Sequence, residues 1–245
     1  MPVAVGQTYW RASQAPRYSL LFALPLLVLY ETMAAVLPRS ATGSVRNGAD
    51  VIIKALFALL LGQRGPVIFG AFLIGVSLWL VYRDMRSHGE RLRLPVFGAM
   101  LLESIALGLV FGAVVGMVTA RLGVFGALAL APARGLGFST QLMVSLGAGL
   151  YEELLFRVVL VSALAYAGRA LLGWRGWVAG LWATILGAFI FSAFHYVGPL
   201  GDVLRLDSFV FRMVGGIFFS ALYLLRGFGI VAWTHALYDV FLLVM

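Results

Sequence analysis

Long runs of apolar residues, separated by short polar loops, follow one another along most of this chain. The runs are continuous and do not alternate, which is typical of membrane-spanning helices rather than transmembrane strands. We therefore predict an all-α, polytopic transmembrane bundle of about 7 (6–8) spanning helices. A weaker apolar piece is predicted to form an interfacial or re-entrant helix at about residues 51–61. The predicted spans lie at about residues 18–37, 66–82, 94–120, 140–167, 177–197, 208–225 and 228–245.

Composition supports a membrane protein. Hydrophobic residues make up 62% of the chain and charged residues 11%, whereas soluble domains average about 45–50% and about 25%. The net charge of +8 comes mostly from arginines at helix ends and in loops, where lipid phosphates and membrane topology account for them. We therefore predict no nucleic-acid partner. The absence of cysteine excludes disulfides and thiolate chemistry.

Three short polar motifs interrupt the last apolar runs. Ionisable side chains in such runs are costly, so each motif is a functional hypothesis. The motifs are Glu152-Glu153-x-x-x-Arg157, Phe191-x-x-x-His195 and His235-x-x-x-Asp239.

Helical spacing separates the roles of the charged residues. Glu153 and Arg157 are four apart and share a helix face, so we predict that they pair and brace the bundle. Glu152 points about 100° away and is free to act as a base. His235 and Asp239 also share one face, so Asp239 can orient the imidazole.

These residue types indicate hydrolysis. Glu152 and His195 facing one pocket can bind water and take its proton, and His235 can stabilise an oxyanion. The same set (Glu152, His195 and His235) could instead hold zinc and leave a position open for water. The chain lacks the HExxH motif of many zinc proteases. This absence weakens the metalloprotease alternative without excluding it, so we predict no cofactor, with zinc possible but not favoured.

The order of the three motifs resembles that of the CPBP family. This family includes CAAX proteases of the Ras-converting type, bacteriocin-processing and immunity proteins, and myxosortase-like proteins. The resemblance covers about residues 140–245, a CPBP-like catalytic core, whereas residues 1–139 match only as N-terminal helices. We predict that residues 1–245 form a single membrane domain.

The resemblance also implies roles for individual residues. It favours a glutamic protease over a metalloprotease, with Glu152 activating the water and His195 helping to hold it. Many relatives have asparagine where this chain has Asp239, so we expect Asp239 to orient a protonated His235. The residues implied to support the site structurally are Glu153, Arg157 and Phe191.

The predicted function is an intramembrane endopeptidase that cleaves near the C-terminus, or in a juxtamembrane segment, of a membrane-tethered protein. The substrate would be lipidated or carry a C-terminal sorting signal. Two alternatives are a catalytically silent scaffold or immunity protein and an ion-coupled transporter that uses the buried acids as a proton relay. The compact chain favours a prokaryotic plasma membrane.

Two further acids lie in predicted spans. Glu31 is predicted to be structural, accepting a hydrogen bond from another helix. Glu103 either braces the bundle or supports the active site. Small residues at Gly147-Ala148-Gly149 predict a close contact between helices.

Overall fold

The computed structural model describes residues 5–37, 45–88, 92–122, 136–198 and 201–244. All regular secondary structure in these ranges is helical, which confirms the predicted all-α fold. The elements are α1 (Val5–Gln14), α2 (Pro16–Val36), α3 (Gly48–Leu61), a 3-10 turn (Gly62–Arg64), α4 (Gly65–His88), α5 (Leu94–Arg121), α6 (Phe138–Gly147), a π-helical segment (Ala148–Val161), α7 (Ser162–Leu172), α8 (Gly176–Phe194), α9 (Leu206–Arg226) and α10 (Phe228–Val244).

The described residues contain 6 stretches long and apolar enough to cross a membrane. The last helix, α10, is also apolar but has only 17 residues. It extends about 26 Å, close to the thickness of a bilayer's hydrocarbon core. The protein is therefore an integral, multi-pass membrane protein, as predicted. The 6 stretches are Pro16–Val36, Gly48–Ser87, Leu94–Arg121, Phe138–Leu172, Gly176–Phe194 and Leu206–Arg226.

The second stretch contains a helical hairpin. Its first arm, α3, begins after Asn47, whose side chain caps the helix by accepting a hydrogen bond from the backbone N–H of Ala49 (2.9 Å). The chain reverses at Gly62, which has a φ of 68°, and brings the rings of Phe57 and Phe69 within 5.1 Å of each other. With 14 residues, α3 reaches only about 21 Å. It is a separate short helix, in the place where the apolar piece at 51–61 predicted one.

The last helix in the chain is a central helix of the bundle. α10 packs against α2, α5, α6, α9 and the π-helical segment. Ile230, Val231 and Ala232 are completely buried in these contacts. A helix that is apolar on all sides suits this position, because it meets protein in nearly every direction. His235 and Asp239 lie further along the same helix.

Two glycines allow the motif-bearing helices to approach closely. A Cβ atom on Gly149 would lie 2.3 Å from the carbonyl oxygen of Ala232 in α10. A Cβ atom on Gly147 would lie 2.4 Å from the ring of Tyr30 and 2.9 Å from the Cβ atom of Asn47. All three distances are shorter than van der Waals contact. The close packing predicted for Gly147-Ala148-Gly149 is confirmed.

Candidate active site

Residues from all three polar motifs line one cavity of about 300 Å³. Glu152 enters from the π-helical segment, His195 from the turn after α8, and His235 and Asp239 from α10. The structure therefore brings together the four residues for which the sequence predicted catalytic roles. Their placement follows from the packing of α8 and α10 against the π-helical segment.

Glu152 is buried, and its two carboxylate oxygens have different surroundings. Oε1 accepts a hydrogen bond from the side-chain amide of Asn47 (2.8 Å). Oε2 lies 3.9 Å from Nε2 of His195. That separation is too long for a direct hydrogen bond. One oxygen is therefore held by the protein, while the other faces the histidine across a gap.

The ring of His195 is oriented by Phe191, the first residue of its motif. Nδ1 lies 2.9 Å from the Phe191 carbonyl oxygen, and a carbonyl only accepts, so Nδ1 carries the hydrogen. The Phe191 ring also packs edge-on against the imidazole, with centroids 4.9 Å apart. Burial lowers the pKa of His195, which follows the last residue of the α8 span. A neutral His195 with this tautomer directs the Nε2 lone pair toward Glu152.

His235 has a partner that the sequence did not predict. Its Nδ1 lies 2.6 Å from Oε1 of Glu153, whereas its Nε2 is 3.9 Å from Oδ2 of Asp239. The ring of Phe219 stacks on the imidazole at 4.4 Å. Glu153 and Phe219 therefore fix the ring, and Asp239 faces the nitrogen that points into the cavity.

Glu153 also pairs with Arg157, as the spacing predicted. Arg157 Nε lies 3.2 Å from Glu153 Oε2, and both side chains are almost completely buried. The guanidinium lies over the ring of Phe191, 4.3 Å from the centroid, an arrangement that stabilises a buried cation. Glu153 thus joins a buried cation to His235. Phe191 contacts Arg157 through its ring and His195 through its carbonyl oxygen.

The comparisons with known proteins identify the region that contains these motifs. Residues 135–241 match the family described as type II CAAX prenyl endopeptidase Rce1-like. This part of the chain is an Rce1-like domain. The finding confirms the resemblance to CPBP-family CAAX proteases. No curated protein and no solved structure matches the chain.

The family gives the activity in general terms. An Rce1-like domain indicates a CAAX-protease-like enzyme, a membrane-embedded endopeptidase that acts on a membrane-associated protein. Glu152, His195, His235 and Asp239 all lie within the matched residues. Asn47, which contacts Glu152, lies outside them.

Glu103 is not among the residues that line the cavity of the three motifs. Both of its carboxylate oxygens accept hydrogen bonds from Arg226, at 2.6 and 2.7 Å, and the Tyr9 hydroxyl donates a third. Burial and the contact with Glu103 raise the pKa of Tyr9, so its phenol remains a neutral donor. These contacts join α1, α5 and α9, and they favour the bracing interpretation of Glu103 over a role beside the catalytic residues.

The zinc alternative requires three ligands close together, and the described part of the chain has no such group. No group of three or more His, Asp or Glu side chains there is spaced to hold a metal ion. Glu152, His195 and His235, the alternative ligand set, share the cavity without forming such a group. His235 directs Nδ1 to Glu153, and Nε2 of His195 is 3.9 Å from the Glu152 carboxylate.

Sequence reasoning missed two contacts of the site, and both are long-range. Asn47 is 105 positions from Glu152, and Glu153 is 82 from His235. The only signal at Asn47 is that asparagine before an apolar run is a common N-cap. That signal predicts the start of α3 but not the contact with Glu152.

Proposed function

We propose that this chain is a glutamic intramembrane endopeptidase in which Glu152 and His195 activate the attacking water. The observation that carries the proposal is the pair of acceptors facing each other at 3.9 Å, Oε2 of Glu152 and Nε2 of His195. A water molecule can lie about 2.8 Å from both atoms and donate one hydrogen to each. Its oxygen lone pairs then remain free to attack an amide carbonyl.

The reaction proceeds by general base and general acid catalysis. Glu152 takes a proton as the water oxygen bonds to the carbonyl carbon, and a tetrahedral oxyanion forms. The carbon–nitrogen bond then breaks, and Glu152 returns the proton to the leaving amine. The products are a carboxylic acid and an amine, which become a carboxylate and an ammonium ion when the acid gives its proton to the amine, and the enzyme regains its initial state.

His235 is suited to stabilise the oxyanion. With Nδ1 held by Glu153, a protonated His235 directs its Nε2–H group into the cavity, where negative charge develops. Asp239 lies beside that nitrogen and favours the protonated ring. In this arrangement Asp239 acts through His235 and does not itself donate to the oxyanion.

The surroundings support a substrate that comes from the membrane. The Rce1-like domain acts on membrane-associated proteins, and the cavity lies among apolar helices. We propose a membrane-tethered substrate, either lipidated or carrying a C-terminal sorting signal, that is cleaved near its C-terminus or beside the membrane. The proposed location is a prokaryotic plasma membrane.

The test is a quantitative comparison of protein termini in membranes from cells that express native protein or Glu152→Ala at matched levels. Specific new termini should appear with the native protein and disappear with Glu152→Ala. Asp207→Asn is the matched control, because this carboxylate pairs with Arg205 at the start of α9 and is not among the residues that line the cavity. Identical termini for native protein and Glu152→Ala would overturn the proposal.

Chelators test the glutamic assignment separately. If Glu152 and His195 activate the water without a Lewis acid, treatment with 1,10-phenanthroline or EDTA should leave the cleavage rate unchanged. Inactivation that zinc reverses would show that the enzyme is a metalloprotease instead.

A further inference from the structure

The proposed general base receives a hydrogen bond from outside the Rce1-like domain. Asn47, just before α3, donates from Nδ2 to Oε1 of Glu152 at 2.8 Å, and the matched residues begin only at 135. We infer that Asn47 is a positioning residue that fixes the rotation of the Glu152 carboxylate. The inference rests on the proposed function, since it gives Asn47 a role only if Glu152 is the base.

The side chain of Asn47 has one possible orientation. Its Oδ1 accepts a hydrogen bond from the backbone N–H of Ala49 at 2.9 Å. Exchanging the amide oxygen and nitrogen would lose this bond and would also place two acceptors, the amide oxygen and the Glu152 carboxylate, against each other. The capping bond therefore directs Nδ2 at Glu152. One amide both starts α3 and holds the glutamate.

The backbone of Asn47 is anchored as firmly as its side chain. Its N–H donates to the hydroxyl of Tyr30 (3.2 Å), and that hydroxyl donates to the fully buried Asp50 (2.8 Å). Asp50 also pairs with Arg46 at 2.8 Å and with Lys54 at 2.6 Å. We call these four residues (Tyr30, Arg46, Asp50 and Lys54) the α3 anchor. A buried, multiply paired carboxylate of this kind holds its partners in one geometry.

The same anchor reaches the residue next to Glu152. Glu31 accepts hydrogen bonds from Lys54 (2.7 Å) and from the hydroxyl of Tyr151 (2.6 Å). Glu31 thus has the hydrogen bond from another helix that its structural interpretation requires. Tyr151 and Glu152 are consecutive, so the N-terminal helices hold the catalytic segment at two adjacent positions.

The consequence for catalysis concerns which oxygen is free. Asn47 occupies Oε1, so Oε2 is left facing His195 at 3.9 Å. Without this donor the carboxylate could rotate and present either oxygen, and the water would lose its fixed position between base and histidine. Misplacing a catalytic group in this way lowers kcat more than it weakens substrate binding.

A purely structural role for Asn47 as helix cap makes a different prediction, and Asn47→Ser separates the two. Serine caps helices about as well as asparagine, but its side chain is too short to reach Glu152. The assay uses a quenched peptide that spans a Glu152-dependent cleavage site found by the comparison of termini. For Asn47→Ser we expect kcat to fall about 10- to 100-fold, with KM within about twofold.

Two further variants complete the experiment. Asn47→Asp also keeps the cap, but it places a second carboxyl group against Glu152, so kcat should fall at least as far as in Asn47→Ser. Thr119→Ala is the matched control for loss of one buried hydrogen bond. The Thr119 hydroxyl bonds to carbonyl groups of its own helix and is not among the residues that line the cavity. This variant should keep the native kcat.

The outcomes separate the inference from the function on which it rests. If Glu152-dependent cleavage is found and Asn47→Ser keeps native kcat, the inference is wrong and the proposed function stands. If Asn47→Ser loses activity only because its melting temperature falls well below that of the native protein, Asn47 is a cap and the inference is again wrong. If no cleavage depends on Glu152, both are overturned.

Discussion

His235 lies between two carboxylates, and only one of them is within hydrogen-bond distance of the ring. Glu153 is 2.6 Å from Nδ1 and holds the ring, whereas Asp239 is 3.9 Å from Nε2. The spacing of His235 and Asp239 on one helix predicted that Asp239 would orient the imidazole. In the structure Glu153 is the carboxylate within hydrogen-bond distance of the ring, whereas Asp239 lies too far from Nε2 for a direct hydrogen bond. The role of Asp239 stays a prediction.

Asp239→Asn should therefore reduce activity moderately and change its pH dependence. Glu153 still holds the ring, so we expect the variant to keep at least about a tenth of native kcat. In the proposed mechanism His235 acts as the imidazolium, and removal of a nearby negative charge would make it lose its proton at lower pH. The alkaline limb of the pH–rate profile should move to lower pH, as measured by kcat from about pH 5 to 10. An unchanged profile would contradict the proposed role of Asp239.

The π-helical segment carries both glutamates of the candidate site. Glu152 and Glu153 are adjacent in the sequence, yet Glu152 faces His195 and Asn47 whereas Glu153 faces His235. The sequence predicted this division from α-helical geometry, and the wider π-helical turns preserve it. π-Helical turns are rare and are often found at functional sites. Gly149 allows this segment to lie close to α10, where His235 contacts Glu153.

Gly149→Ala tests this close packing. The added methyl group would lie 2.3 Å from the Ala232 carbonyl oxygen, so α10 must move, and overpacking of this kind costs about 1–3 kcal/mol. We expect a lower melting temperature and a loss of cleavage, since His235 moves with α10. Gly75→Ala in α4 is the matched control, because nothing lies within 4 Å of the added atom. Native stability and activity in Gly149→Ala would show that the contact is unimportant.

The positions of the helices could be predicted from the sequence more fully than the side-chain contacts between them. Hydropathy predicted the span at 140–167, and the structure has one continuous helical stretch over Phe138–Leu172. Hydropathy did not predict the π-helical turns, because it reports how apolar a helix is and not its backbone hydrogen-bond pattern. The motif spacing predicted the pair Glu153–Arg157 within one segment. It could not predict Asn47–Glu152 or Glu153–His235, since periodicity reports only on neighbours in the same helix.

The N-terminal helices contact the Rce1-like domain at two separate places. One is the α3 anchor, which reaches Glu152 through Asn47 and Tyr151 through Glu31. The other is Arg226, which pairs with Glu103 and lies 3.8 Å from the ring centroid of Trp10. Both places join residues before 135 to residues after it. These contacts agree with the prediction of a single membrane domain over residues 1–245, which stays a prediction.

Glu103→Gln tests the second of these places, the contact between Glu103 and Arg226. The substitution leaves the nearly buried Arg226 guanidinium without its carboxylate, and loss of hydrogen bonds to a charged group costs at least about 1.5 kcal/mol. We therefore expect a lower melting temperature in detergent. Below the unfolding transition kcat should equal that of the native protein, because Glu103 is not among the residues that line the catalytic cavity. A reduced kcat in a fully folded variant would mean that Glu103 supports the active site. Native stability together with native kcat would show that the contact with Arg226 does not fasten these helices, and the α3 anchor would then be the important connection.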